Sequence, residues 1–160
     1  MQLSLVKMDS EVLEEIRDLH RHLNSIEHMV YVSCKFTRTT EMLKKVMSAI
    51  LRGYEIFFEV GFSVYKSENG EIKGNTIFNK ITLLKDYFFN AGIDIDLSEY
   101  FLIKRLLVSE FECVGEYRKN LAIIAYIDGE EFSINVMKLL EFYNNLKGIC
   151  NSFGNLKKKS

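Results

Sequence analysis

Thr40–Tyr65 reads TEMLKKVMSAILRGYEIFFEVGFSVY. Leu43, Val46, Met47, Ile50, Leu51, Tyr54, Phe57, Phe58, Phe62 and Tyr65 recur there at helical spacing, so a wide apolar stripe forms on one side of a helix. That width predicts the most buried element of the chain. The hydroxyls of Thr37, Thr39 and Thr40 are the candidate caps for its start. Gly53 and Gly61 each cost about 1 kcal/mol relative to Ala inside a helix, which points to close approach of a neighbouring helix. The Asn-Gly of Ser67–Glu68–Asn69–Gly70 marks the turn that ends it.

Upstream, Val12, Ile16, Leu19, Leu23, Ile26 and Val30 form a narrower stripe behind Asp9 or Ser10 as cap. Val30–Tyr31–Val32–Ser33 favours an end there, with a continuous helix as the alternative. Downstream, Ile77, Phe78, Ile81, Leu84 and Phe88 make a third amphipathic stretch, closed by Asn90–Ala91–Gly92. Asp96 and Glu99 resemble a capping box for a fourth helix carrying Leu102, Ile103, Leu106, Leu107, Cys113 and Val114. Leu121–Ile127 and Phe132–Ile134 flank Asp128–Gly129, which predicts a β-hairpin; extension of the fourth helix is the alternative. A last helix carries Val136, Leu139, Leu140, Tyr143, Leu146, Ile149, Cys150 and Phe153. The expected fold is mainly α: an antiparallel bundle of about five helices with a small β-hairpin near residues 121–134. Residues 1–160 are expected to form a single helical domain, with a frayed basic tail at about 155–160.

Composition narrows the class. The chain has 160 residues, 48% hydrophobic and 27% charged, with no Pro or Trp; disorder of the main body is excluded, and no fixed φ interrupts the helices. Its 21 Lys and Arg against 22 Asp and Glu leave a net charge of −1, which argues against nucleic-acid binding by bulk charge and leaves room for a local basic patch. Cys34, Cys113 and Cys150 form no CxxC pair, so free thiols in a reducing cytoplasm are expected. No signal peptide and no membrane-spanning run are visible.

Arg17, His20, Arg21, Asn24 and His28 share a second face of the first helix, spanning about 100° of arc and some 140° from its apolar stripe. Between Arg17 and Arg52, seven basic residues (Arg17, Arg21, Lys35, Arg38, Lys44, Lys45 and Arg52) outweigh the acids Asp18, Glu27 and Glu41, a local net of +4. Such a face suits phosphate groups or a nucleic-acid backbone; a solvated face laced with weak charge pairs is the plainer alternative. The histidine spacings offer no complete metal-ligand set. No phosphate loop, dinucleotide fingerprint or nucleophile elbow occurs, so no cofactor is expected. Glu110, Glu112, Glu116, Arg118 and Lys119 read as an exposed charged turn.

In helix order, in the Phe78–Asn79–Lys80–Ile81…Leu84 helix and in Glu116–Tyr117–Arg118 closing a later one, the last three quarters of the chain resembles the HEPN family of small helical domains. Many members are dimeric, metal-independent ribonucleases with an Arg and a His four to six residues apart on a late helix. Here the last histidine is His28. The resemblance therefore implies a non-catalytic module that dimerises and binds RNA, a nucleotide or a partner protein, with Arg118 carried over as a binding residue. The expected binding residues are Arg17, Arg21, Asn24, His28 and Arg118. The alternative is a ribonuclease using the Arg/His face of the first helix.

Overall fold

A computed structural model of the chain describes residues 10–72 and 76–158. Its elements run α1 (Ser10–His28), a π-helical segment (Met29–Ser33), α2 (Cys34–Phe36), α3 (Thr40–Asn69), α4 (Ile77–Asn90), α5 (Ser98–Val108), β1 (Phe111–Val114), β2 (Ala122–Ile127), β3 (Glu130–Ile134), α6 (Val136–Cys150) and α7 (Ser152–Lys158). The fold is mainly α with a small antiparallel sheet; among the described residues five helices have eleven residues or more. None is long and apolar enough to cross a membrane.

The chain divides into two units, one of Met1–Arg21, Glu55–Asp96 and Lys147–Ser160, the other of His22–Tyr54 and Leu97–Leu146. In the first, the C-terminal part of α3 meets α4 and α7 through Phe57, Phe88 and Phe153, whose ring centroids lie 5.0–5.8 Å apart. Gly61 permits the α3–α4 approach, because a Cβ there would sit 2.7 Å from Leu84 Cδ2. Thr76 Oγ1 caps α4 by accepting the Asn79 N–H at 3.1 Å. Its far end closes as expected: the Gly92 and Ile93 N–H groups donate to the Phe89 and Phe88 carbonyls, both at 2.9 Å. The apolar stripe of the last helix breaks at Asn151, and α7 holds residues 155–158 in a helix where a frayed tail was expected. Leu156, 1% exposed, anchors that turn; residues 159 and 160, like Asp9, lie outside the described residues.

In the second unit Thr39 caps α3 by accepting the Met42 N–H at 3.2 Å. Gly53 faces Leu146 of α6 and Ile26 of α1, and Tyr143 donates to Glu27 at 2.9 Å. The hairpin forms: Ile127 pairs with Glu130 across Asp128–Gly129, which have φ of 53° and 79°, the positive pair that a two-residue turn of this twist requires. Ile123, Ala125, Ile127 and Ile134 put their side chains in the core.

The fourth helix is shorter than its pattern implied. Its N-cap position falls on Leu97, one residue beyond Asp96, with no side-chain bond, and Ser109 ends it. Phe111–Val114 then forms a third strand antiparallel to β2, Cys113 opposite Ile123. Ladder bonds to β2 outweigh continuation of a helical stripe there. Glu116–Tyr117–Arg118, read as closing a helix, lies in the loop that follows. Of the large aromatics on α3 and α4, Tyr54, Phe57, Phe58 and Phe88 are buried, whereas Phe89 is 65% exposed.

Candidate functional site

The run Val30–Tyr31–Val32 does not end the first helix. The coil instead widens there into a π turn: the Cys34 N–H reaches the Met29 carbonyl, five residues back. Val30 and Cys34 thereby face the core, while Tyr31 and Lys35 stay exposed. After α2, Thr37 is extended (φ −122°, ψ 94°), and Arg38 follows before α3 begins.

This segment forms one wall of a cleft of about 390 Å³ within the second unit. Val30, Tyr31, Cys34, Lys35 and Arg38 come from it, Lys119 from the loop after β1, and Val136, Met137 and Leu140 from α6. Three cations thus surround an apolar floor with no carboxylate among the lining residues. Like charges with no counter-charge between them raise the local potential and concentrate anions. Tyr31, 48% exposed, adds an aromatic ring to the rim. The buried Cys34 thiol has its pKa pushed up by desolvation, so it stays neutral and is a poor nucleophile.

The loop that delivers Lys119 is tied down at two points. The Tyr117 N–H donates to the Arg38 carbonyl at 2.7 Å, with Tyr117 itself at φ 65°, a left-handed conformation that costs a non-glycine residue about 1–2 kcal/mol. Glu116 accepts the Thr40 N–H at 3.2 Å through Oε1. Its Oε2 accepts the Thr40 hydroxyl and the Cys113 thiol, each at 2.7 Å. These bonds, the thiol's foremost, hold the Glu116 carboxyl below its ordinary range, and the same carboxylate raises the Cys113 thiol. Arg38 and Lys119, 81 positions apart in sequence, are joined through this tether.

The expected binding residues are distributed differently. Arg17 pairs with Glu14 at 3.2 Å, and Arg21 pairs with Glu14 and Asp18; all four are exposed and lie in the first unit. Asn24 and His28 are exposed on α1. His22, on another side, donates through Nε2 to the Ala49 carbonyl at 2.8 Å. Arg118 is exposed, its N–H bonded to the Gly115 carbonyl at 2.8 Å. None of the five lines the cleft, although Arg118 adjoins Lys119, which does. Lys35 and Arg38 were visible only as part of the +4 excess, and Lys119 only as part of a charged turn; Tyr31 carried no signal.

All three cysteines are free, Cys34 and Cys150 buried and Cys113 exposed. Among the described residues no group of three or more His, Cys, Asp or Glu could hold a metal ion. No family model, curated protein or solved structure matches the chain.

Proposed function

We propose that the protein is a non-catalytic binding module that takes a phosphate-bearing ligand, a nucleotide or RNA, in the cleft of Lys35, Arg38 and Lys119. The observation that carries this reading is the grouping of three cations and the Tyr31 ring around an apolar floor, with no acid among the lining residues. Cations position phosphates and an aromatic face stacks a base regardless of its identity. The lining has no His, Asp or Glu, and its one thiol is held neutral, which supports binding over proton transfer. The non-catalytic role implied by the HEPN resemblance points the same way.

The test is titration of a fluorescein-labelled single-stranded RNA 10-mer and of ATP at two salt concentrations. Saturable binding that weakens with salt is expected, with Arg38→Ala and Lys119→Ala each losing roughly 10-fold or more, the scale of a lost charge-assisted hydrogen bond. The RNA should stay intact. Equal or larger losses in Arg17→Ala and Arg21→Ala would move the site to the α1 face, and RNA cleavage abolished by His28→Ala would establish the ribonuclease alternative. Absence of saturable binding to either probe would sink the proposal.

A further inference from the structure

A second cleft, of about 570 Å³, adjoins the first, and Met137 and Leu140 line both. Its chemistry is different. Lys138 pairs with Glu141 at 3.2 Å, so its charges cancel locally. The remaining polar lining is Ser133, Asn135, Asn144 and Asn145. Asn135 caps α6 by accepting the Lys138 N–H at 2.9 Å, and Asn145 donates to both Glu99 carboxylate oxygens at 2.9 Å. Ser133 and Asn144, both exposed, have no such engagement among the described residues.

We infer that this neutral, amide-lined cleft is the subsite for the nucleoside part of the ligand whose phosphate sits among Lys35, Arg38 and Lys119. The inference rests on the binding reading above and narrows it to a single nucleotide unit. A cleft whose one cation is already paired offers a second phosphate no free counter-charge, only neutral donors, so a polyanionic strand gains little by running through both. An uncharged group that both donates and accepts hydrogen bonds gains a great deal, because an Asn amide offers two donors and one acceptor. The shared wall suits a base as well: Met137, 70% exposed, presents a polarisable thioether to a flat ring. Asn144 lies seven positions beyond Met137, roughly 10 Å along the helix and on nearly the same face, so a ligand that crosses the shared Met137 wall runs toward the amide.

Calorimetric titration of the whole protein with inorganic phosphate, adenosine, the four nucleoside monophosphates and short oligonucleotides tests this. Nucleoside monophosphates should bind at least 10-fold more tightly than inorganic phosphate. Asn144→Leu and Ser133→Ala should bring them towards the phosphate level while leaving inorganic phosphate binding unchanged, with circular dichroism confirming that both variants keep the helical fold. Lys119→Ala should weaken phosphate and nucleotides alike. A nucleotide no tighter than phosphate, a substitution that weakens phosphate equally, or affinity climbing with each added nucleotide would each overturn the subsite and leave the basic cleft standing. Failure of the wild-type protein to bind phosphate or any nucleotide would remove the cleft reading itself, and the subsite with it.

Discussion

Glu116 closes the first turn of α3 from a distance of 76 residues: its carboxylate accepts both the backbone N–H and the hydroxyl of Thr40. A carboxylate at a helix N-terminus satisfies an orphan donor and complements the helix dipole. Here it does so from the loop that carries Lys119, so one side chain contributes both to the capping of α3 and to the shape of the basic cleft.

Glu116→Ala is therefore expected to weaken phosphate and nucleotide binding several-fold although Glu116 does not line the cleft, with Glu116→Gln falling between it and the wild type. The pH dependence has a defined sign. A carboxyl held below its ordinary pKa in the folded state stabilises the protein above the unfolded value, and that contribution disappears as pH falls through the folded value. The urea midpoint of the wild type should exceed that of Glu116→Gln at pH 7, and the gap should close on acidification. A gap independent of pH would refute this account.

Cys113 is exposed, yet its thiol donates to a carboxylate that disfavours the thiolate. Alkylation by iodoacetamide should be slow at neutral pH and accelerate as pH rises. Glu116→Gln should speed it at pH 7.5 by removing the negative charge. Cys34 and Cys150, the latter pushed up to about 12 by burial, should label only after unfolding. Peptide mass spectrometry separates the three sites.

Gly61→Ala sets a gain of about 1 kcal/mol in helix propensity against overpacking of Leu84, which costs typically about 1–3 kcal/mol. Leu84 is 2% exposed and meets the new Cβ with two atoms inside 3 Å. Net destabilisation is expected. Pairing the change with Leu84→Ala should cost less than the sum of the two single substitutions in a denaturant-based double-mutant cycle.

Gly129→Ala isolates backbone strain, because no atom lies within 4 Å of the new Cβ while φ is 79°. A loss of about 1–2 kcal/mol is expected. Asp128→Gly should be nearly neutral: it relieves a non-glycine positive φ and gives up the exposed 2.9 Å pair with Arg105. Thermal unfolding of both variants checks the contrast.

These positions also show what the chain announces locally. Asp128–Gly129 signals its hairpin in two residues, and the hydroxyls of Thr37, Thr39 and Thr40 signal the start of α3, where Thr39 is the cap, because turns and caps are decided by near neighbours. Phe111–Val114 signals nothing of the kind. Cys113 and Val114 extend the helical spacing of Leu102 and Leu106, and only pairing with Ala122–Ala125 makes the segment a strand. The basic cleft is harder still to read. Lys35 and Arg38 stand in a cationic stretch, but their partner Lys119 arrives by way of a loop whose anchor, Glu116, reads as one more surface acid. Arg17 and Arg21 show the complementary effect: they read as a cationic face in the sequence, whereas Glu14 and Asp18, within one or two turns on the same helix, pair with them.

The widened coil at Met29–Ser33 has a consequence for how this chain tolerates change in length. A π turn accommodates one residue more than an α turn while both flanks keep their phase. Loss of one residue between Met29 and Ser33 would let an ordinary α-helix run through, with Ile26 and Cys34 still directed inward. The same loss elsewhere in Ser10–His28 would rotate everything beyond it by about 100°. Within the helical run that ends at Phe36, a single-residue deletion can therefore be absorbed at the stretch that presents Tyr31, altering the rim of the cleft and sparing the core.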